Sequence, residues 1–149
     1  MRDSVRWYAT PMSVCRAAAR FPAKLESAGL ARDFVAALCH KCQVPDARVD
    51  ALIIVSELVE NAVRHGQSSC TVTVTLSGDV LTIAVHDDSI ARPRLMHPRL
   101  DEPGGRGLQL VSTLSTAWGV SYLDGGKQVW ATLELAGRHQ HAAAGRESA

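Results

Sequence analysis

The segment SELVENAVRHG, residues 56–66, is the most informative part of this sequence. Its apolar residues follow the period of a helix with one buried face, and they place Glu57 and Asn61 four residues apart. Such a pair projects from the same helix face, about one turn apart. One carboxylate and one carboxamide can hold a hydrated Mg²⁺, which takes one or two protein oxygens together with substrate phosphates. The alternative is an ordinary solvated helix face with no metal.

The helix that carries this segment is expected to begin near Pro45, because Pro fits the first turn, and to end at Gly66, a C-terminal glycine. A preceding helix is predicted to start at Glu26 or Ser27 and to run to about Lys41, because apolar residues recur there with the helical period. Upstream of it, residues 17–23 predict a first strand. Residues 1–16 are expected to form a loosely ordered arm, which either packs on the sheet or docks a partner.

Further along the chain the apolar period changes to two, which is typical of half-buried strands. Residues 70–85 predict a β-hairpin that turns at Ser77-Gly78-Asp79, and residues 118–135 predict a second hairpin around Asp124-Gly125-Gly126. Between the hairpins, residues 90–105 are rich in proline and predict a long loop of the kind that is usually functional or disordered. A helix is expected to follow, from residue 107 to about residue 115.

This order of elements predicts an α/β (α+β) fold of two layers. We expect a mixed, mostly antiparallel sheet of about five strands with three helices on one face. A chain of 149 residues suits one domain with a sizeable core. That domain is expected over residues 17–136, followed by a disordered tail over residues 137–149 that is rich in Ala, Gly and His.

Charge and hydropathy exclude several classes of function. The formal net charge is +1, so charge alone predicts no attraction to nucleic acid or to an acidic membrane. No apolar run approaches the roughly 20 residues that span a bilayer, and the N-terminal residues contain no continuous apolar core of a secretory signal. We therefore expect a cytoplasmic protein with no direct nucleic-acid or membrane contact.

Four cysteines occur, at positions 15, 39, 42 and 70. Cys39 and Cys42 have the CxxC spacing, but a structural zinc site needs a second ligand pair, and only the isolated Cys15 and Cys70 remain. On a helix, Cys39 and Cys42 lie three residues apart on a buried stripe, where a free Cys behaves as a small apolar residue. We expect buried thiols, and keep metal or redox use as the alternative.

Two other features carry polar chemistry. Asp87 follows a central strand, where side chains emerge at the edge of the sheet. Gly104, Gly105 and Gly107 precede a helix, where glycines let backbone N–H groups approach phosphate oxygens and the helix dipole favours negative charge. The alternative for these glycines is a flexible hinge and a helix start.

In this order, the three features resemble the GHKL ATP-binding superfamily, which includes gyrase, Hsp90, MutL and histidine-kinase ATPase domains. SELVENAVRHG is similar to its N box, VHDDS (residues 85–89) to its first glycine box, and GGRGLQLV (residues 104–111) to its second. The resemblance covers residues 17–135 and implies the Bergerat, or histidine-kinase-like ATPase, fold. Within the superfamily, the sequence looks most like the small anti-sigma-factor serine/threonine kinases of the RsbW type.

The resemblance implies a role for each matched residue. Asn61 would coordinate Mg²⁺ and bridge it to the triphosphate of ATP, and Glu57 would be the general base for the attacking hydroxyl. Asp87 would accept a hydrogen bond from the adenine amino group. On the phosphate side, the resemblance implies Gly105, Arg106, Gly107 and Leu108. Arg106 would be a charge clamp; the alternative is a solvated residue at the start of the helix.

Several positions leave alternatives open. Arg64 and His65 either line the phosphate end of the site or only cap the helix. The first glycine box is usually Asp-x-Gly-x-Gly, whereas Ser89 and Ala91 stand at its glycine positions here. The superfamily also tends to carry a Thr near the start of its last strand, and the nearest residues here are Lys127 and Gln128. The contact that this Thr makes with adenine is therefore replaced or lost here.

The resemblance therefore implies an enzyme, an ATP- and Mg²⁺-dependent protein serine/threonine kinase. It would bind a sigma factor and phosphorylate a Ser or Thr of a STAS-type anti-anti-sigma protein, and a homodimer is a further expectation. The alternative, which the altered glycine box motivates, is a catalytically weak or inactive module that sequesters a regulator. A detached sensor-kinase ATPase domain is less expected, because the sequence codes for no dimerisation helix pair.

Overall fold

A computed structural model of the chain describes residues 6–10, 14–88, 107–123 and 125–135. In that part of the chain a 3₁₀ turn precedes the second helix and a π turn follows it. The elements in chain order are β1 (Arg6–Thr10), β2 (Val14–Phe21), α1 (Ser27–Lys41), the 3₁₀ turn (Pro45–Ala47), α2 (Arg48–Asn61), the π turn (Ala62–Gly66), β3 (Cys70–Ser77), β4 (Val80–Asp87), α3 (Gly107–Leu114), β5 (Ala117–Leu123) and β6 (Gly126–Glu134).

The strands form one antiparallel sheet in the order β1-β2-β3-β4-β6-β5. Because successive side chains point to opposite faces of a strand, alternate residues of β2, β3, β4 and β6 face the helices. Three cross-strand rows on that face are apolar and buried, and they form the sheet side of the core: Val72–Val85–Val129, Val74–Ile83–Ala131 and Leu76–Leu81–Leu133.

The helices supply the other side of the core. α1 and α2 pack against each other and against the sheet, while α3 packs on α2 and β5. Burial of each large apolar side chain in α2, such as Ile54 or Leu58, stabilises the fold by about 1.5–3 kcal/mol. Arg32 Nη1 of α1 donates a hydrogen bond of 2.9 Å to Ser56 Oγ of α2, next to Glu57. No helix in the described ranges is both long and apolar enough to cross a membrane.

This architecture confirms the predicted two-layer fold, with helices on one face of an antiparallel sheet. The predicted helix over residues 27–41 has the observed bounds, and both predicted hairpins are present. The predicted long loop and the predicted tail lie outside the described residues. The helix through SELVENAVRHG continues to Gly66 as predicted, but its last turn is a π turn, and the left-handed residue that follows is Gln67 (φ 47°).

The sequence predicted one strand too few at the N-terminus. Within the supposed arm of residues 1–16, Arg6–Thr10 forms β1 and pairs antiparallel with β2, which starts at Val14 and not at residue 17. Part of the expected arm is therefore a strand at the edge of the sheet. Pairing satisfies the backbone N–H and C=O groups of a short segment that contains the strand-forming residues Trp7 and Tyr8.

The expectation of free buried thiols is wrong for two of the four cysteines. Cys15 on β2 and Cys42 at the end of α1 form a disulfide, with Cα atoms 6.6 Å apart and a sequence separation of 27. Cys39 and Cys70 are free and buried, as expected. The pairing arises because Cys15 faces the helix layer, in the cross-strand row of Leu76, and the helix ends above it.

Candidate functional site

A small cleft lies between the C-terminal half of α2 and the first turn of α3. The two helices contact each other along this line. Glu57 and Asn61 share one face of α2, as their spacing predicts, and both line the cleft. Among the residues that the structure describes, the lining consists of Glu57, Glu60, Asn61, Arg64, His65, Gly107 and Leu108.

Gly107, the first residue of α3, lies directly against the Glu57 carboxylate. A Cβ atom placed on Gly107 would lie 2.5 Å from Glu57 Oε2, closer than real Cβ contacts allow. The absence of a side chain at this position lets the start of α3 approach the carboxylate. The backbone of a helix start, where N–H groups have no intrahelical partners, suits an anionic ligand such as a phosphate.

Burial and neighbouring charges shift the proton affinity of Glu57. Loss of hydration raises the pKa of Glu57 above its usual value of 4.5, and the Glu60 carboxylate raises it further, whereas Arg64 lowers it. Arg64 Nη2 lies 4.0 Å from Glu60 Oε2 across one helical turn, so the two opposing charges partly offset each other. A carboxylate whose pKa is raised is a better general base than an ordinary exposed one.

The π turn Ala62–Gly66 directs two basic residues into the cleft. A π turn adds one residue per turn relative to an α-helix, and such turns frequently occur at functional sites. Arg64 and His65 both line the cleft although both are largely exposed. The contact with the cleft favours the first of the two predicted alternatives, a position at the phosphate end, over a role that is limited to capping.

Asp87, the last residue of β4, lies at the same end of the sheet as the cleft. Only residues 67–69 separate the π turn from Cys70, the first residue of β3, and Cys70 pairs with Asp87. Three residues span about 10 Å, so the end of α2 and the end of β4 are neighbours. The π turn also contacts β4. Asp87 is not among the residues that line the cleft, and only 2% of its surface is exposed.

Asp87 belongs to a cross-strand row that differs from the three apolar rows. Cys70 pairs with Asp87, and Asp87 pairs with Lys127 at the start of β6. Lys127 is 1% exposed, and its Nζ lies 4.0 Å from Asp87 Oδ2. Burial raises the pKa of the Cys70 thiol to about 11, and the Asp87 charge contributes, so Cys70 is neutral. We call Asp87 and Lys127 the buried ion pair.

The residues of the cleft fit the metal and nucleotide that the sequence predicted. Asn61 and Glu57 offer oxygen atoms, which Mg²⁺ prefers, and Gly107 lets the start of α3 come close to them. Within the described ranges no group of three or more His, Cys, Asp or Glu side chains is arranged to hold a metal. A Mg²⁺ site with one or two protein ligands and a substrate phosphate needs no such group.

The structure thus brings together four of the predicted site residues and places a fifth nearby. Glu57, Asn61, Gly107 and Leu108 line the cleft, and Asp87 lies at the adjacent end of the sheet. Gly105 and Arg106 lie outside the described residues. The sequence did not indicate that Glu60 influences the pKa of Glu57. Lys127 was considered only as one of the residues nearest the position where the superfamily tends to carry a Thr.

Comparisons with known proteins agree with this fold. Residues 21–133 match the family model of the histidine kinase-like ATPase domain. No curated protein matches the chain. A solved structure of similar fold is that of the RsbU and RsbW domains of Rv1364c from Mycobacterium tuberculosis, with a TM-score of 0.60 and 21% sequence identity. The match covers 79% of this chain and 32% of that one, and at this identity it shows the shared fold alone.

Proposed function

Because the chain belongs to the histidine kinase-like ATPase family, we propose that it binds ATP with Mg²⁺ and acts as a protein serine/threonine kinase in a regulatory switch. Its substrate in this proposal is a Ser or Thr of a STAS-type anti-anti-sigma protein, and its other partner is a sigma factor. The fold that the chain shares with a structure containing an RsbW domain supports this choice among the branches of the family.

The observation that carries the proposal is the contact between Glu57 and the start of α3. A general base needs a raised pKa, a position beside the transferred phosphoryl group and a neighbouring metal ligand. Glu57 has a raised pKa, lies against the backbone of Gly107 and shares a helix face with Asn61. A carboxylate with only a structural role on a solvated helix face would not combine these three features.

The proposed chemistry is a transfer of the γ-phosphoryl group of ATP. The Ser or Thr oxygen of the partner forms a bond to the γ-phosphorus, and the bond between that phosphorus and the β,γ-bridging oxygen breaks. The hydroxyl proton moves to the Glu57 carboxylate, and ADP leaves. Gly107 contributes backbone approach to the phosphates, while Arg64 supplies positive charge at the cleft, beside His65.

Asn61 is the residue that would hold Mg²⁺, through its side-chain oxygen. When bound, Mg²⁺ neutralises charge on the phosphate oxygens. In this proposal Asp87, whose strand β4 contacts the π turn, receives the base, and the triphosphate lies at the cleft. This division gives the site a phosphate half on the helices and a base half at the end of the sheet.

The test is phosphorylation of cognate STAS proteins by the full chain with ATP–Mg²⁺. We expect phosphoprotein with the wild type, and a rate lower by about 10²- to 10⁴-fold with Glu57→Gln, because that substitution removes the base but keeps the shape. The matched control is Glu26→Gln, an exposed Glu just before α1, which should leave the rate unchanged. Equal rates for wild type and Glu57→Gln would contradict the proposed role of Glu57.

The second candidate is a binding module that sequesters a regulator without turnover. The observation that favours it is the buried ion pair, which occupies the base half of the site with charges of its own. Calorimetry with ATP–Mg²⁺ separates the two candidates. Micromolar binding that is lost in Asp87→Asn supports the kinase, whereas no binding up to millimolar ATP supports the module.

We place the protein in the cytoplasm, where sigma factors and ATP are found, and expect a homodimer. Disulfides are rare in that compartment because glutathione and thioredoxin keep thiols reduced. Cys15 and Cys42 would therefore be thiols in the cell and form a disulfide on oxidation. Thiol counting in rapidly acid-quenched cells, compared with the purified protein, tests the location and the redox state together.

A further inference from the structure

A second and larger groove lies at the corner between α1 and α2, and the proposed kinase chemistry does not use it. Its volume is about 780 Å³, which is within the range of small-molecule sites. The groove lies where α2 begins, about 20 Å along that helix from Asn61 at the other end. Its lining includes Cys39, His40, Gln43 and Arg48. We call it the corner groove.

The polar groups of the corner groove favour an anion. Arg48 carries a positive charge, and Gln43 and His40 add N–H donors. Neither Asp nor Glu is among the lining residues that the structure describes. A small anionic ligand therefore meets an opposite charge and hydrogen-bond donors in this groove, whereas a cation meets a like charge.

One lining residue, Cys39, is a free thiol that lies one helical turn from a disulfide. Cys39 is 1% exposed and unbridged, whereas Cys42 is bridged to Cys15. Residues three apart on a helix share a face, with Cα atoms about 5 Å apart. That separation lies within the range of roughly 4.4–6.8 Å over which disulfides form. Cys39 is therefore within bonding reach of the bridged Cys42.

The backbone closes a tight turn around these two cysteines. Cys42 N donates a hydrogen bond of 2.8 Å to Leu38 O, so the helical geometry extends to Cys42. Gln43 then adopts a left-handed conformation (φ 56°), and Val44 N donates a hydrogen bond of 3.0 Å to Cys39 O. This turn keeps Cys39 and Cys42 close to each other at the end of α1.

The two free thiols of the described chain differ in their surroundings. Burial raises the pKa of Cys39 above its usual value of 9.0, and Arg48 partly opposes this shift. Burial and the Asp87 charge raise the pKa of Cys70 to about 11, and Cys70 does not line the corner groove. Because the thiolate is the species that attacks a disulfide, Cys39 is the better placed of the two for exchange.

We propose that the corner groove binds an anionic thiol of low molecular mass, or its disulfide, and that Cys39 carries exchange between this ligand and the Cys15–Cys42 bridge. We call this exchange the thiol relay. It makes the link between β2 and α1 reversible, and it gives the CxxC spacing of Cys39 and Cys42 a function. The relay uses neither ATP nor the nucleotide cleft.

The thiol relay opens the bridge in three balanced exchanges. First, the Cys39 thiolate attacks Cys42 Sγ, so a Cys39–Cys42 bond forms, the bond to Cys15 breaks, and Cys15 takes up the proton that Cys39 released. Second, the thiolate of the bound ligand attacks Cys39 Sγ, and Cys42 leaves as a thiol. Third, another ligand thiolate attacks the ligand sulfur of this mixed disulfide and releases Cys39. Two ligand thiols are oxidised to their disulfide while the bridge is reduced to two thiols, and the reverse sequence forms the bridge.

The first test is reduction of the oxidised full chain by glutathione, with acid quenching, alkylation and counting of thiols by mass spectrometry. In the wild type the count rises from two to four as the bridge opens. We expect Cys39→Ser to open at least about tenfold more slowly, because the reagent must then attack the bridge directly. The matched control Cys70→Ser removes the other buried free thiol and should open at the wild-type rate.

The second test addresses the charge of the ligand. Glutathione carries a net negative charge and cysteamine a positive one, so the ratio of their reduction rates reports recognition of the anion. At low ionic strength we expect Arg48→Gln to lower the ratio of the glutathione rate to the cysteamine rate by about two- to fivefold. Any effect of Arg48 on the Cys39 thiolate cancels in this ratio. Lys24→Gln, the loss of a charge at an exposed position outside the corner groove, should leave it unchanged.

Two further variants keep the tests informative if Cys39→Ser destabilises the fold. Cys39→Ala removes the thiol without adding a hydroxyl group to the interior, and circular dichroism establishes which variants are folded. In Cys15→Ser, oxidation with glutathione disulfide should join Cys39 to Cys42, which peptide mapping identifies. Failure of these two cysteines to join would show that Cys39 does not reach Cys42, and the thiol relay would be overturned.

The remaining outcomes decide the other parts of the proposal. Opening at the wild-type rate in a folded Cys39 variant overturns the thiol relay. An unchanged rate ratio in Arg48→Gln overturns the recognition of an anionic ligand by the corner groove. Because none of these measurements involves a nucleotide, each result leaves the kinase proposal to its own test.

Discussion

At the residue scale, Glu57 combines a helix position that the sequence predicts with an environment that it does not. The spacing to Asn61 placed both residues on one face, as the cleft shows. The contact with Gly107 depends on how α3 packs on α2, which no local pattern encodes. The influence of Glu60 and Arg64 on the pKa of Glu57 also depends on burial, which no local pattern encodes.

The pKa of Glu57 leads to a prediction about pH. Because loss of hydration and Glu60 raise this pKa above 4.5, the base form appears only as pH rises through a value higher than that. The rate at saturating ATP–Mg²⁺ should therefore rise with pH through this raised pKa. A profile of rate against pH measures it, and Glu57→Gln should abolish the inflection.

Two neighbouring substitutions should move the inflection in opposite directions. Glu60→Gln removes a charge that raises the pKa of Glu57, so the inflection should move to lower pH. Arg64→Gln removes a charge that lowers this pKa, so the inflection should move to higher pH. Shifts of the same sign in both variants would show that the inflection belongs to another group.

Gly107→Ala is the sharpest steric test of the cleft. The added Cβ would lie 2.5 Å from Glu57 Oε2 and must displace the carboxylate. Displacement of a catalytic group by about 1 Å can cost 10²-fold in rate, so we expect a loss of about that size. In the control Gly29→Ala, the new Cβ meets nothing closer than Arg32 Nη2 at 3.5 Å, and the helix should gain about 0.5–1 kcal/mol. An unchanged rate in Gly107→Ala would place the reaction elsewhere.

At the element scale, periodicity predicted most of the helices and strands, and the failures have physical causes. Alternation of apolar and hydroxyl residues identified β3, because one face packs on helices and the other does not. β1 was missed although Trp7, Tyr8 and Thr10 favour strands, since five residues give too short a pattern to establish a period. Pairing with β2 stabilises it.

The link between α1 and β2 could not be deduced from the sequence. Four cysteines allow several pairings, and the one observed joins Cys15 and Cys42, although CxxC spacing drew attention to Cys39 and Cys42. Which thiols meet is decided by where α1 ends above the sheet. Only the packed structure contains that information.

The disulfide leads to a prediction about stability. A cross-link between residues 27 apart lowers the entropy of the unfolded chain and stabilises the fold by about 3.5 kcal/mol. Chemical denaturation with and without a reductant should show this difference. Thiol titration of the denatured protein should rise from two free cysteines to four on reduction. In Cys15→Ser/Cys42→Ser, the reductant should have no effect; an effect there would assign the stabilisation to Cys39 or Cys70.

At the scale of the whole molecule, the sequence predicted the layers correctly and left the geometry of the site open. The order of helices and hairpins leaves few ways to cover one face of an antiparallel sheet, so the architecture followed. Because only residues 67–69 connect the π turn to β3, the end of α2 lies next to the end of β4. That a second charge, Lys127, lies beside Asp87 emerges only from the pairing of β4 with β6.

Binding of ATP–Mg²⁺ should stabilise the entire fold. A ligand at 100 times its dissociation constant adds about 2.7 kcal/mol, which for a domain of this size raises Tm by roughly 8 °C. Differential scanning fluorimetry measures the shift, and EDTA should reduce it if Asn61 holds the metal. In Asn61→Ala, the shift should be smaller and insensitive to EDTA. A shift that is unaffected by EDTA in the wild type would contradict the metal role of Asn61.

The buried ion pair also constrains how this chain can change by mutation. Loss of either Asp87 or Lys127 alone leaves an uncompensated charge in the interior, at a cost of about 3–5 kcal/mol, which is a large fraction of the stability of a domain. Loss of both together is far less costly. A lineage can therefore replace the buried ion pair by neutral residues only by paired substitution or through an intermediate that is stabilised elsewhere, so substitutions at the two positions are expected to show strong sign epistasis.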